Sequence, residues 1–552
     1  MRAVPGMQRE ISFKTAGTTT AIAALTLVLA TQGPTPAGAQ GNQQLRPNVI
    51  VVMTDDQNVS QLTPEFMPRT MRLLGGKKGT KFTRSFVSSP LCCPSRAGFL
   101  SGQYPHNDGV YDNEPGYPAL RSKDETIYTW LHDAGYRTGH VGRFLLNYDR
   151  FATAPPNPYA APLPAAPGPP GVDDWFGYKS GFTLYFKAEF SDNGAPLTTR
   201  ATRGGHVTRV INEQASRFVA ESAPGGQPFF LWLNHIAPHT TNFDRRGDCG
   251  QGVALPEPGT YGRFRDEPLP RPPSFGEKKI GDKPAWVRSR PKLRKGQVTD
   301  LTRAWRCALA TLANVDRGVA NLLRKLRALD ELDHTAIFFT SDNGYLYGEH
   351  RVVLEKIYPY EESWRVPLLA RIPPAYLGGA KPPRSVSKNV SNLDLTATIL
   401  DLAGAKPCVA DGRCSTIDGR SILPLLGAPG PPWPADRAIL SQIGNRACGI
   451  IPIPGSGLKN HYDAIRTRRY MYAEINRVNP ATGACNRPDF ELYDLKRDPF
   501  QLRNRAVNPG RATPSPLQSS LAQRLAELVR CAGAAGRDAP IADEYTVRPL
   551  CE

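Results

Sequence analysis

Past its first forty residues the chain has no apolar run long enough to span a bilayer, which excludes a multi-pass membrane protein. Its ten cysteines form no double Cys-x-x-Cys of the zinc-binding kind, no internal repeat recurs, and no nucleic-acid module is recognisable. Acidic residues are in short supply, with 50 Asp and Glu against 68 Lys and Arg, a net charge of +18. Such a field attracts anions. A small or polymeric anionic substrate fits it at least as well as nucleic acid, because the cations are spread along the chain and concentrate only between Lys278 and Lys295. Glycine (50) and proline (53) stay below the share that marks low-complexity disorder, and 40% hydrophobic residues in 552 suffice for a large core. The length allows three or four domains or one large α/β unit with an addition.

The early apolar run, Ala21 to Ala30, follows Arg2, Arg9 and Lys14 and precedes Ala37-Gly38-Ala39. That order of charged, apolar and small-residue regions predicts a secretory signal peptide over 1–39, the alternative being a retained anchor. Removing it leaves +16. Export to a secreted, periplasmic or cell-envelope location would let cysteines persist as disulfides. Spacing does not determine connectivity; the short-range pairs Cys408–Cys414, Cys448–Cys485 and Cys531–Cys551 are the expected ones.

Three apolar, β-branched or aromatic runs read as buried strands of a parallel sheet: 48–53, 229–233 and 335–340. Each ends in polar residues able to bind a ligand, namely Asp55 and Asp56, His235 and His239, and Asp342 and Asn343. Ligands of open α/β sheets bind beyond the carboxyl ends of the strands, so these residues are expected on one rim. Thr302 to Leu329 carries apolar residues at helical spacing and predicts a covering helix. The Pro-rich stretches 154–171 and 254–295 read as long surface loops of the kind that line binding sites. A linker-like Gly/Pro break over 427–434 precedes alternating segments that predict a small C-terminal β-containing domain.

The most informative stretch is Leu91-Cys92-Cys93-Pro94-Ser95-Arg96-Ala97-Gly98-Phe99-Leu100-Ser101-Gly102. It resembles the sulfatase signature Cys-x-Pro-Ser-Arg-x-x-x-Leu-[Ser/Thr]-Gly at every fixed position. The resemblance implies that a maturation enzyme oxidises Cys92 to formylglycine (3-oxoalanine), whose hydrate attacks sulfur as an oxygen nucleophile. That use excludes Cys92 from the disulfides, and Cys93 is set aside with it. A divalent cation, Ca²⁺ with Mg²⁺ as the alternative, is implied with Asp55, Asp56, Asp342, Asn343 and modified Cys92 as ligands, hard oxygen donors for a hard ion. Taken alone, Asp-Asp after a strand is commonly a helix cap and Asp-Asn-Gly a turn; the Cys92 motif is what tips the reading.

By the same resemblance Arg96 would hold the formylglycine or a sulfate oxygen, while His239 would contact the ester oxygen and Lys356 the sulfate. His235, His350 and Asn113 are further candidates for substrate contact. Sulfatases usually read Gly-Lys-Trp-His-Leu-Gly where this chain has Gly142-Arg143-Phe144-Leu145-Leu146-Asn147. Arg143 therefore stands for the Lys and Leu145 for the His, leaving His140 or a water on Asn147 to replace the missing base. The segment Gly142–Tyr148, with Tyr104-Pro105-His106-Asn107 and 169–175, resembles the glucosamine-6-sulfatase branch.

The resemblance, spanning about 45–505, implies an alkaline phosphatase-like α/β fold. A mixed, mostly parallel sheet would lie between helices in a catalytic domain over 45–430, with a smaller α+β domain with an antiparallel sheet over 435–552. It implies hydrolysis of a sulfated sugar or an aryl sulfate, with no nucleic-acid partner and no stable membrane insertion. Two rivals stay open. One is a phosphate or phosphonate monoester hydrolase of the same superfamily, and the other a catalytically silent binder of sulfated polysaccharide.

Overall fold

The computed structural model describes residues 46–149, 168–179, 183–198, 205–241, 249–444, 460–477, 488–535, 537–542 and 547–552. The segment 1–39, Cys448 and Cys485, and most of the 154–171 stretch lie outside the described residues. Among those described, no helix is long and apolar enough to cross a membrane.

The three apolar runs form adjacent parallel strands, and each strand spans one residue more than the run that predicted it. In chain order the strands of the main sheet are β1 (Asn48–Thr54), β2 (Thr80–Phe86), β3 (Arg137–Gly142), β4 (Asp174–Tyr178), β5 (Glu189–Asp192), β6 (Ala195–Thr198), β7 (Phe229–Asn234) and β8 (Thr335–Ser341). A hairpin of β9 (Leu346–Tyr347) and β10 (Val353–Glu355) stands apart, and β11 (Arg365–Arg371), β12 (Ser385–Val386) and β13 (Val390–Ser391) complete the sheet. The order is β12-β2-β11-β8-β1-β7-β3-β4-β5-β6, with β13 also on β2. β8, β1, β7, β3 and β4 run parallel, whereas β11 is antiparallel to β2 and β8, so the sheet is mixed and mostly parallel at its centre.

Strand side chains alternate between faces, and here both faces are covered, which is why the central runs are apolar at every position. Ile50, Val52, Leu231, Leu233, Ile337 and Phe339 pack on one side with α2 (Val207–Ser222) and α3 (Lys295–Ala328). Val49, Val51, Phe230, Trp232 and Phe338 pack on the other, beneath α1 (Cys92–Ser101) and α4 (Asn392–Ala403). The helix expected from Thr302 begins seven residues earlier, because its first turns are polar and exposed and so lack the apolar periodicity. The 254–295 stretch is not wholly a surface loop: Leu255, Leu269, Trp286 and Val287 are buried and pin it as a strap.

The chain's end builds a separate antiparallel sheet, β14 (Ile439–Ile443), β15 (Asn460–Arg466), β16 (Tyr470–Arg477) and β17 (Asp489–Asp494), with α5 (Pro516–Leu528) on its outer face. Its inner face, including Ile439, Met471 and Tyr493, packs on Phe86, Leu91, Trp286, Tyr358 and Trp364, the elements that surround Cys92 and Lys356. A buried Arg437–Asp394 pair, 2.8 Å at Nη2, joins the segment before β14 to α4. Disulfides close Cys408–Cys414 and Cys531–Cys551 as expected, and Cys249–Cys307, which the spacing did not suggest. Cys92 and Cys93 are free thiols, both buried.

Candidate active site

The carboxyl ends of β1, β7 and β8 bring Asp55, Asp56, Asn234, Asp342 and Asn343 to one rim, and α1 starts against it with Cys92 as its first residue. The helix sits close because position 98 is glycine: a Cβ there would lie 2.6 Å from Ser88 Oγ and 2.9 Å from Leu393. Asn113 Oδ1 accepts from the Cys93 amide at 2.9 Å, so it caps an otherwise unpaired helix donor one residue from Cys92. Gly142 (φ +109) ends β3 where a Cβ would stand 1.8 Å from Asn234 O. That close approach delivers Arg143 to the rim.

Arg96 is fully buried and acts as a brace. Its Nε donates to Asp342 Oδ2 at 2.9 Å, Nη1 to Arg143 O at 2.9 Å and to Asn234 Oδ1 at 3.0 Å, and Nη2 to Asp55 Oδ2 at 3.3 Å. With four of its five N–H donors on protein acceptors, Arg96 aligns the carboxylates and has one donor left for a ligand. Arg143 Nε takes the same Asp55 Oδ2 at 2.9 Å while its Nη1 donates to Thr183 Oγ1 at 3.1 Å. Lys356 Nζ stands 2.9 Å from Cys92 Sγ and is ion-paired to Asp56. His239 Nε2 lies 3.7 Å from Asp56 Oδ2, and its ring is oriented by Thr240 O at 2.6 Å from Nδ1, while the Tyr185 hydroxyl donates to the His239 backbone carbonyl at 2.7 Å.

The electrostatics follow from this packing. Burial pushes the Cys92 thiol well up and Asp55 adds to it, so the unmodified side chain is a neutral thiol, unsuited to thiolate attack. Burial, then Asp55, pushes Asp342 up to about 7. Burial opposes the charge of Asp55 too, but Arg143, His239, Arg96 and Lys356 outweigh it and hold that carboxyl below the usual range. Burial lowers His239 despite the pull of Asp56 and Asp55, favouring the neutral ring, while Asp56 and its neighbours overcome burial and keep Lys356 protonated.

Ligand atoms of Asp55, Asp56, Cys92 and His239 all lie within 4.8 Å of one another. Asn343 donates its amide to Asp56 Oδ1 at 2.6 Å, leaving its Oδ1 buried without a hydrogen-bond partner. A free amide oxygen beside three carboxylates under mutual repulsion is a donor set that a hard divalent cation fits. A family model described as Sulfatase matches residues 47–405. The chain belongs to the sulfatase family. This sulfatase is a sulfuric ester hydrolase. It is 30% identical to an arylsulfatase of Volvox carteri, over 88% of this chain and 75% of that one. It is 29% identical to the N-acetylglucosamine-6-sulfatase of Homo sapiens, over 88% and 85% of the two chains. The fold is similar to that of a protein solved in complex with its substrate D-glucosamine-2-N,6-O-disulfate, at a TM-score of 0.66 and 23% identity, covering 87% of this sulfatase and 97% of that chain.

Four sequence candidates sit away from the cluster. His140 is buried among aromatics, stacked on Trp175, with its ring nitrogens on Tyr128 Oη (2.7 Å) and Gly142 O (3.2 Å); burial lowers it to about 3. Asn147 donates to Glu114 Oε2 at 2.7 Å and to Pro115 O at 3.2 Å. Both candidates for the histidine missing at Leu145 are thus engaged in other contacts, and Leu145 is itself buried in the core. His350 Nδ1 is 2.7 Å from Glu277 Oε2 and the ring stacks on Tyr360, linking the strap to the site loop. His235 is buried with both ring nitrogens unpaired, lowered to about 3 by burial alone. Sequence reasoning passed over Asn234, Thr183 and Tyr185; only Asn234, a polar residue ending an apolar strand, left a signal.

Proposed function

We propose that this sulfatase is exported and hydrolyses the sulfate ester of a sulfated sugar or aryl alcohol, using formylglycine made from Cys92 by a maturation enzyme. The observation that carries the reading is Cys92 opening a helix within contact of Lys356 and Asp55, in a pocket of balanced buried charge. The hydrated aldehyde supplies the oxygen nucleophile. Asp55, Asp56, Asp342, Asn343 and the modified side chain would hold Ca²⁺ or Mg²⁺, which polarises sulfate oxygens and favours ionisation of that nucleophile. Arg143 and Lys356 keep a sulfate oriented at Cys92, and Lys356 is the nearest protonated group to the reacting oxygen. His239, whose Nδ1–H is held by the Thr240 carbonyl, presents Nε2 toward the site and delivers a proton to the leaving ester oxygen in its doubly protonated form, which Asp56 and Asp55 favour against burial. Arg96 keeps Asp55 and Asp342 aligned. Three disulfides support export to an oxidising compartment, and the resemblance to N-acetylglucosamine-6-sulfatases supports a sulfated glucosamine among the substrates.

The test is Cys92→Ala together with the mass of the Cys92 peptide from protein made in its own host. We expect a loss of about 18 Da in the wild type, and in the variant a loss of aryl sulfatase turnover by at least about 10⁴-fold with an unchanged fold. Substantial turnover by the variant would refute the reading. Faster hydrolysis of an aryl phosphate than of the matching aryl sulfate would favour the phosphate or phosphonate rival.

A further inference from the structure

Charge is unevenly distributed along this chain. Residues 263–306 hold thirteen Lys and Arg against five Asp and Glu, eight of the eighteen net charges in 44 residues. Among the buried or half-buried cations of this stretch, Lys283 is paired with Glu277 at 3.5 Å, Arg290 with Glu355 at 2.5 Å and Arg303 with Asp300 at 2.8 Å, while Arg306 donates to the Glu267 carbonyl. Arg265, Arg271, Lys278, Lys279, Lys292 and Lys295 are exposed and make no ion pair among the described residues.

The strap is attached to the loop that carries Lys356. Phe275 bridges to Glu349, the His350 amide donates to Ser274 O at 2.7 Å, and Arg351 Nε donates to Glu277 O at 2.7 Å. Arg290 holds Glu355, the residue before Lys356, whose Nζ is 2.9 Å from Cys92 Sγ. Where the strap enters α3, a cavity of 370 Å³ is lined by Arg265, Arg303, Arg306, Thr299 and Thr302, backed by the Cys249–Cys307 disulfide, with no carboxylate among the described lining residues. Arg303 is paired with Asp300 at 2.8 Å and Arg306 Nε donates to Glu267 O at 2.7 Å, so Arg265 and the remaining guanidinium and hydroxyl donors are what suit a tetrahedral or planar oxyanion.

We propose that the 263–306 strap is an exosite for further anionic groups of the substrate whose reacting ester lies at Cys92, with the arginine cavity seating one of them. The substrate class is then a sulfated polysaccharide bearing several sulfates or carboxylates. This rests on the sulfatase reading above: a site that consumes sulfate esters, flanked by unpaired cations, matches a polymer with many such groups.

The test compares 4-nitrocatechol sulfate, a singly sulfated aryl ester, with heparin, using the mature enzyme. One variant carries Lys278→Glu, Lys279→Glu, Lys292→Glu and Lys295→Glu. A milder one, Arg265→Ser with Arg303→Ser, guards against misfolding. A control of equal charge change carries Lys381→Glu, Arg384→Glu, Lys406→Glu and Lys496→Glu. Both strap variants should hydrolyse the aryl sulfate within about twofold of wild type. The lysine variant should raise the heparin KM about tenfold or more and flatten its dependence on salt, because fewer counterions are released on binding. Equal weakening by the control, or an unchanged heparin KM, overturns the exosite; so does competition by duplex DNA as tight as that by heparin itself. Should the wild type release sulfate from neither substrate, the sulfatase reading falls, and direct heparin binding by the same variants still decides the exosite.

Discussion

Stripping the proposed divalent cation with a chelator is expected to make stability depend on pH in one window. Burial, followed by the charge of Asp55, raises the Asp342 carboxyl from 3.8 to about 7. Between about pH 4 and 7 the folded chain therefore keeps a proton that the unfolded chain has released. By linkage, the ion-free fold loses stability as pH rises through that window. Three pH units correspond to about 4 kcal/mol as an upper bound. With about 440 described residues the unfolding entropy is about 1 kcal/mol per degree, so the melting midpoint falls by up to about 4 °C. A cation held by Asp55, Asp56, Asp342 and Asn343 stabilises the ionised carboxylate and removes the dependence. Asp55 does not confuse the result, because its carboxyl is held low and titrates below the window. Glu277 and Glu491, both raised to about 7 by burial, and Asp112, raised to about 6 by burial, are common to both samples and cancel in the difference. Melting curves of calcium-loaded and EDTA-treated enzyme would be recorded from about pH 4.5 to 8. A gap between them that stays constant or narrows toward pH 8 would refute the argument.

Two further perturbations separate stability from chemistry. Replacing Cys249 and Cys307 by serine opens a cross-link between residues 58 apart in sequence; chain-entropy reasoning puts the loss at about 4 kcal/mol, seen as a lower urea midpoint with aryl sulfatase activity retained at 25 °C. Arg437→Ala leaves Asp394 buried without its cation and should lower stability by about 3–5 kcal/mol. Arg437→Lys, which keeps the charge but not the two-pronged contact, should lose less. Limited proteolysis would detect loosening of the β14–β17 sheet in the alanine variant, and cleavage no faster than in wild type would count against the pair as an anchor.

What could be read from the linear chain was local or carried by short motifs. Continuous apolar runs identified β1, β7 and β8 because both faces of the central sheet are buried, and the polar residues just after them marked the rim. The Cys92 to Gly102 stretch carried the family, since its residue types fit the proposed nucleophile at a helix start and the close helix packing at Gly98. Short disulfides at 408–414 and 531–551 were legible for the same local reason. Tertiary structure alone decided which charges meet. Arg96, expected to hold the formylglycine or a sulfate oxygen, commits four of its five N–H donors to Asp55, Asp342, Asn234 and the Arg143 carbonyl, because the strand order β8-β1-β7-β3 brings four chain segments around one guanidinium. His140 and Asn147, adjacent in sequence to the segment that lacks the usual histidine, point into other contacts. Lys356, over 260 residues from Cys92, is brought to it by a loop fastened to the cationic strap. Those encounters depend on long-range packing, and nothing in residue spacing encodes them.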